Sequence, residues 1–312
     1  MSVMIIGASG RLGRALWASR PHGFEVTALT HAELDVTDIR AMEAVVAVAR
    51  PVVINAAAWT DVEGAQRDEA GARAVNAQAP GAMGRLFATQ GIRIVHFSTD
   101  YVFSGEGTDP WNEACLPQPR PAGVYGLTKR EGERLLEESG VSGTIVRAGW
   151  LHSGERDFVN AILCAAAEGK PLSVTASQIG TPTSTEALAQ WTWDALPMLT
   201  PFGRLTTVHY VEEGGWISRA DMAVHVLVSA EEQAAGMGEF GLAARFKRAR
   251  ENMRRSGADN GLRPQNCRLS SLRKGEFPCT KGWKGGVDKS VDIVISAKKS
   301  LWITNESNNK II

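Results

Sequence analysis

The sequence predicts an α/β fold, a doubly wound parallel sheet followed by a smaller C-terminal α/β domain. Three observations predict it. Short apolar, β-branched runs alternate with helical patterns through the first half, the signature of βαβ units. The first such run leads directly into a glycine-rich turn that opens a helix. After about Leu151 the alternation loosens, which marks a change of domain. The expected organisation is a nucleotide-binding domain over 1–150, a mainly substrate-binding domain over 151–287 with some segments returning to the first, and a tail over 288–312.

The elements follow in order. Val3–Ile6 is a buried strand, and the glycine turn after it starts a helix through Ala18. Phe24–Leu29 is the second strand. Ile39–Arg50 is helical until Pro51 ends it. Val52–Ile54 is the third strand, running into Asn55-Ala56-Ala57-Ala58. Helical patterns cover Asp68–Gln90, and Ile92–Phe97 is a buried strand. Ser104–Gly123, rich in Gly, Pro and acidic residues, is a loop. A helix runs from Tyr125 to about Ser139, and Thr144–Arg147 is the next strand. Beyond Leu151 the sequence predicts helices over Phe158–Ala167, Thr185–Leu196 and Ser218–Val228. Strands are expected at Leu172–Thr175 and Leu205–Tyr210, with a basic helical stretch over Leu242–Arg255. The last segment, Lys289–Ile312, reads as polar and frayed, with an edge strand at Val291–Ile295.

Composition excludes several classes of function. The chain has 312 residues, 34 basic and 34 acidic, and a formal net charge of +0. No overall field recruits nucleic acid or an anionic membrane. No apolar run is long enough to span a bilayer, and the N-terminus enters a strand without a signal-peptide pattern, so a cytoplasmic location is expected. The four cysteines (Cys115, Cys164, Cys267, Cys279) are scattered and form no C-x-x-C pair. Free thiols in a reducing compartment are expected.

The chemistry begins at Gly7-Ala8-Ser9-Gly10-Arg11-Leu12-Gly13. Glycines in a strand–turn–helix context let backbone N–H groups approach a pyrophosphate at a helix N-terminus. The spacing is G-x-x-G-x-x-G rather than the standard dinucleotide spacing. A Rossmann-type dinucleotide site over Gly7, Ser9, Gly10, Arg11, Leu12 and Gly13 is expected. At the end of the second strand an acid ordinarily binds the adenosine ribose. Here the strand ends Ala28-Leu29-Thr30-His31, with no carboxylate, and Arg11 is in the loop. NADPH is therefore favoured, or weak discrimination between NADPH and NADH. Asp35-Val36 either contacts the adenine edge or, with Thr37-Asp38, caps the following helix.

Tyr125-Gly126-Leu127-Thr128-Lys129 places a phenol and an ammonium four residues apart, on one helix face. A nearby cation favours the phenolate. The pair suits proton transfer to or from an oxygen near neutral pH.

With Asn55-Ala-Ala-Ala58, Ser98-Thr99-Asp100-Tyr101-Val102-Phe103 and Tyr125-x-x-x-Lys129 in order, the chain resembles the extended short-chain dehydrogenase/reductase superfamily. It is most similar to the dTDP-4-dehydrorhamnose reductases. Ile54 to Glu63, Ala74-Val75-Asn76-Ala77, Arg147-Ala-Gly-Trp150 and Gln178-Ile-Gly-Thr-Pro-Thr183 match further family segments. The similarity covers roughly 2–287 and is strongest to Thr183. The resemblance implies a trio in which Thr99 hydrogen-bonds the substrate carbonyl and Tyr125 protonates the developing alkoxide. Lys129 binds the nicotinamide ribose and holds down the Tyr125 pKa. It also implies cofactor contacts at Ala56, Ala57 and Ala58, and substrate contacts at Thr60, Val62, Asp100, Tyr101 and Trp150. Glu63 matches the same segment, and Asn76 matches a helix Asn that is structural or catalytic. The implied reaction is NAD(P)H-dependent reduction of the 4-keto group of a dTDP-linked deoxysugar, by a monomer or homodimer.

Three departures bear on this. Some relatives carry a Glu in the first helix that helps bind Mg2+ between subunits. Ala15 stands there, so no metal is expected. In the faint C-terminal match around Arg263-Pro264, Cys267 and Ser270 replace Ser and Asp. His152 stands where the family often has Tyr. The basic stretch Arg245 to Arg255 either meets a substrate diphosphate or forms a solvated helix face. Two other functions share these motifs: another nucleotide-sugar ketoreductase or epimerase, and a non-catalytic NADP-binding subunit resembling the methionine adenosyltransferase β subunit.

Overall fold

A computed structural model describes the chain except for residues 50, 118–120, 258–260 and 310–312. The chain forms two compact units. The first takes Met1–Gly149, Thr185–Val211 and Asn260–Lys281, and the second takes Trp150–Ser184, Glu212–Asp259 and Gly282–Ile312. The first stretch holds β1 (Ser2–Ile6), α1 (Arg11–Ala18), β2 (Glu25–Leu29), α2 (Ile39–Ala49), β3 (Val52–Asn55), α3 (Val62–Arg67), α4 (Glu69–Arg73), α5 (Ala79–Gln90), β4 (Arg93–Thr99), α6 (Val124–Glu138) and β5 (Ser142–Ala148). The chain then supplies β6 (Leu151–His152), α7 (Phe158–Ala167), β7 (Ser173–Thr175), β8 (Ile179–Gly180) and β9 (Thr183–Ser184) to the second unit. It returns with α8 (Thr185–Leu199) and β10 (Leu205–His209). The second unit then gains β11 (Ile217–Ser218), α9 (Arg219–Gly236), α10 (Phe240–Asn252) and β12 (Arg254–Ser256). The first regains β13 (Asn266–Cys267), and α11 (Trp283–Asn309) closes the second.

In the first unit the sheet order is β2-β1-β3-β4-β5-β10, with every neighbouring pair parallel. Strands buried on both faces read as continuous apolar runs, which is why β1 and β3 were legible. On one face Met4, Ile6, Val53, Ile94 and Ile145 pack with Met42, Val46, Met83, Phe87 and Leu136. Each such side chain contributes roughly 1.5–3 kcal/mol of burial. Val36 belongs to this cluster as well. The order reverses at β1, whose neighbours are β2 on one side and β3 on the other. Ligands of open α/β sheets bind at the carboxyl ends of strands flanking such a switch point.

The helical pattern over Asp68–Gln90 is not one helix. It is α4, a π-helical turn over Ala74–Gln78, and α5. The π turn carries Asn76. Asp61 and Asp68 cap α3 and α4 by accepting from the backbone N–H groups of Gly64 and Gly71, each at 2.9 Å.

The second unit has short parallel pairs, β6 with β9 and β7 with β12, and an antiparallel pair, β8 with β11. The expected edge strand at Val291–Ile295 is instead part of the long helix α11. Val287, Val291, Val294 and Ile295 are all buried, at the i, i+4, i+7, i+8 spacing of a helix face. That face was overlooked because polar residues separate its members. The basic stretch also divides. Its first part is α10, and Arg254–Ser256 pairs in parallel with β7. Arg245 donates to the carbonyls of Ala167 and Trp302 at 2.8 and 3.3 Å, and Arg250 pairs with Glu231 at 2.9 Å. These arginines tie helices together within the unit. No described helix is long and apolar enough to cross a membrane.

Candidate active site

The glycine loop lies between β1 and α1. Gly7 has φ +80°, the left-handed region, and a Cβ there would stand 2.6 Å from the Ala57 nitrogen. The loop after β1 and the loop after β3 therefore touch backbone to backbone, and only glycine permits it. A Cβ on Gly13 would stand 2.2 Å from the Gly7 carbonyl oxygen, so Gly13 lets α1 start directly against the turn. Gly10 caps α1 with no side chain over the first turn. Ser9 and Gly10 are exposed, while Leu12 is buried. These features fit a pyrophosphate cradled at a helix N-terminus. Arg11 carries its charge toward Tyr125, whose pKa it lowers.

At the end of β2, Thr30 donates both its backbone N–H and its hydroxyl to the Glu33 carboxylate, each at 2.8 Å. Sequence reading passed over Glu33. The signal was a Thr followed three residues later by Glu, which is the spacing of a reciprocal capping turn. A carboxylate thus does stand beside the strand end. Asp35 accepts from the backbone and hydroxyl of Thr37 at 2.9 and 2.8 Å. Asp38 accepts from the N–H groups of Arg40 and Ala41 and starts α2.

Asn55 ends β3. Its Oδ1 accepts from the Ala57 N–H at 3.1 Å, and its Nδ2 lies 3.0 Å from His96 Nδ1. The segment beyond, Ala58 to Thr60, is held by Asn76. That side chain accepts from Trp59 N–H at 2.9 Å and donates to the Trp59 carbonyl at 3.0 Å and to Thr128 Oγ1 at 3.2 Å. Asn76 thereby clamps the β3 loop to α6. Thr60 is exposed and Val62 is half-buried. Glu63 pairs with Arg263, which returns from the far end of the chain.

Thr99 ends β4. It donates to the Asp100 carboxylate at 2.8 Å and accepts from Tyr101 N–H at 3.2 Å. Thr99 also bears on the Tyr125 hydroxyl, whose pKa it lowers. A Cβ on Gly126 would stand 2.3 Å from the Tyr101 carbonyl oxygen, so α6 begins in direct contact with the turn after β4. The rings of Tyr101 and Tyr125 meet edge to face at 5.6 Å. Thr99, Asp100, Tyr101 and Tyr125 are thus one cluster. Val102 and Phe103 are core.

Burial pushes the Tyr125 hydroxyl up to about 12, Asp100 adds to the rise, and Thr99 and Arg11 oppose it. The expected lowering by Lys129 is not what the structure shows. Lys129 Nζ donates to the Phe97 carbonyl at 2.7 Å and lies 3.3 Å from His96 Nε2. Burial lowers Lys129 to about 8, against an upward pull from Glu133. Shared helix face gave the correct element, but not the direction in which the amine reaches.

A buried network braces this cluster within the first unit. Glu133, one turn beyond Lys129, accepts from Arg147 Nε and Nη2, both at 2.8 Å. Arg147 Nη1 lies 3.3 Å from His209 Nε2. Trp150, at the start of the second unit, has φ 48° and is buried, with the Arg219 guanidinium 3.7 Å above its ring.

A family described as RmlD substrate binding domain matches residues 1–294. A probable dTDP-4,6-dihydroxy-2-methyloxan-3-one 4-ketoreductase of Streptomyces antibioticus is 39% identical over 218 residues, 67% of this chain and 69% of that protein. The dTDP-4-dehydrorhamnose reductase of Mycobacterium tuberculosis is 36% identical over 226 residues, 71% of this chain and 73% of that one. The crystal structure of dTDP-4-dehydrorhamnose reductase from Bacillus anthracis in complex with NADP matches with a TM-score of 0.78 at 26% identity, over 92% of this chain and 97% of that one. The chain belongs to the RmlD substrate-binding-domain family.

Proposed function

We propose that the protein is an NAD(P)H-dependent reductase of the 4-keto group of a dTDP-linked deoxysugar, and that dTDP-4-dehydro-L-rhamnose is reduced to dTDP-L-rhamnose. The observation that carries this is the cluster of Thr99, Asp100, Tyr101 and Tyr125 at the carboxyl end of β4. It stands in the same unit as the glycine loop, and the chain shares 36% identity with a reductase of that name.

The glycine loop and Ala56 to Ala58 hold the dinucleotide. A reduced nicotinamide, when bound, supplies hydride to the carbonyl carbon. The chain supplies the rest. Thr99 hydrogen-bonds the carbonyl oxygen. Tyr125, kept protonated by its half-buried setting and by Asp100, gives its proton to that oxygen as charge develops there. A phenol raised to about 12 is fully loaded as an acid at neutral pH. The Thr99 hydroxyl rests on Asp100 and turns from it to donate to the carbonyl oxygen when substrate binds, and Lys129 would hold the cofactor ribose from the α6 side. Thr60, Val62 and Tyr101 of the first unit contribute to sugar binding. Asp35, which also accepts from Thr37, and Val36, which also packs in the core, would meet the adenine edge.

NADPH is the proposed cofactor, with the Glu33 carboxylate opposing a 2′-phosphate and Arg11 favouring it. A second reading has a specific motive. The Streptomyces antibioticus relative carries the name of a 4-ketoreductase on a different dTDP sugar. The test is to incubate purified protein and NADPH with each of the two ketosugars, following nicotinamide absorbance and identifying the product by NMR. The proposal expects dTDP-L-rhamnose, with the rhamnose precursor turned over at least tenfold faster. Faster turnover of the other ketosugar selects the second reading, and no turnover of either removes both.

A further inference from the structure

A buried polar array runs behind the site, from β3 through β4 to α6. Asn55, His96 and Lys129 are each at most 2% exposed. The Asn55 amide is oriented by the Ala57 N–H, which its Oδ1 accepts. Its Nδ2 therefore faces His96 Nδ1 at 3.0 Å as a donor. Nδ1 must accept, so a neutral imidazole carries its proton on Nε2. That nitrogen faces Lys129 Nζ at 3.3 Å. An ammonium has three N–H groups and no acceptor, so it would oppose the Nε2–H donor to donor. A neutral amine offers its lone pair to Nε2–H and still donates to the Phe97 carbonyl at 2.7 Å. Proton counting along the array is satisfied only with the amine neutral.

We propose that His96, oriented by Asn55, is a positioning residue for Lys129, aiming an Nε2–H at the lysine amine so that Lys129 exchanges a proton instead of holding a fixed charge. This gives a buried imidazole with no substrate contact a part in the reaction, and its kinetic consequence rests on the reductase reading above. The electrostatics point the same way. Burial, then Lys129 itself, holds His96 well below the usual histidine range. Burial lowers Lys129 to about 8. The groups facing the amine are His96 and the Phe97 carbonyl from β4 and Glu133 from its own helix. Asn55 reaches it only through the imidazole, and Glu133 is itself paired with Arg147 of β5 and Arg130 of α6.

The array is tested first without turnover. Long-range 1H–15N spectra of 15N-histidine-labelled full-length protein report which ring nitrogen of His96 is protonated, with His96→Gln identifying the signals. The expected wild-type state is Nε2–H with bare Nδ1. Asn55→Asp keeps the acceptor for Ala57 and turns an acceptor toward Nδ1, so Nδ1 becomes protonated. A wild-type Nδ1–H tautomer overturns the proposal whether or not the protein reduces any sugar. The second measurement is the pH profile of kcat/KM. Wild type shows an alkaline limb near pH 8, and Asn55→Asp moves it upward by roughly one unit, because Nε2 then accepts from the ammonium. An unmoved limb in a variant whose Nδ1 is protonated overturns the coupling to Lys129. Absence of turnover by wild type refutes the functional reading and leaves the tautomer result standing.

Discussion

Replacing Glu133 with Gln isolates the buried ion pair that braces the catalytic helix. Glu133 and Arg147 have side chains 0% and 3% exposed, and two bonds of 2.8 Å join them in a fork. Arg147 holds the Glu133 carboxyl below the usual range against the upward push of burial. Glutamine keeps one acceptor oxygen, but its NH2 faces Arg147 Nη2, donor against donor. One charge-assisted bond worth about 1.5–3 kcal/mol is lost. The guanidinium also stays buried without its counter-charge, so the total cost is about 3–5 kcal/mol. Urea unfolding followed by circular dichroism reads this as a lower midpoint at unchanged slope. The double variant Glu133→Leu, Arg147→Met removes both charges and should recover most of the loss. A single-variant cost below about 1 kcal/mol, or a double variant worse than the single, would refute the reasoning.

Three further outcomes are expected. Burial and Arg147 hold His209 down to about 4, below an unfolded value near 6.5. The unfolded chain thus binds that proton first. The His209 contribution to stability is complete above about pH 6.5 and lost as pH falls through about 4, and His209→Gln should flatten that slope in urea midpoints measured across the window. Gly13→Ala puts a Cβ 2.2 Å from the Gly7 carbonyl oxygen. It should weaken NADPH binding on the order of tenfold or more in fluorescence titrations, and unchanged binding would contradict the cradle. Glu33→Gln removes the carboxylate at the β2 end and should raise the NADPH-over-NADH ratio of kcat/KM a few-fold, as expected for one exposed charge. A fall in that ratio would contradict the assigned opposition.

The parallel sheet was legible because its strands are continuous apolar runs, and the glycine loop because its spacing has a steric reason. Thr99, Tyr125 and Lys129 were legible as a motif, and the structure sets the Tyr125 ring edge to face against Tyr101, two residues beyond Thr99. The direction of Lys129 was not. It depends on His96 and the Phe97 carbonyl, which no spacing rule connects to position 129. Glu33 was missed because the expected acid was sought at the strand end itself, whereas the chain turns back by three residues to supply one. Helix α11 was misread because its buried valines are diluted by Lys, Asp and Ser, so that periodicity alone carried the signal. The folding of 185–211 into the first unit has no local signature, since it is set by which sheet edge accepts β10.

The most direct measurement is the rate of NADPH oxidation by wild type and Tyr125→Phe with dTDP-4-dehydro-L-rhamnose. Phenylalanine keeps the ring that meets Tyr101 and removes only the proton donor. The account predicts a loss of roughly 10²–10⁴-fold in kcat with NADPH affinity retained. Equal rates for the two proteins would contradict it.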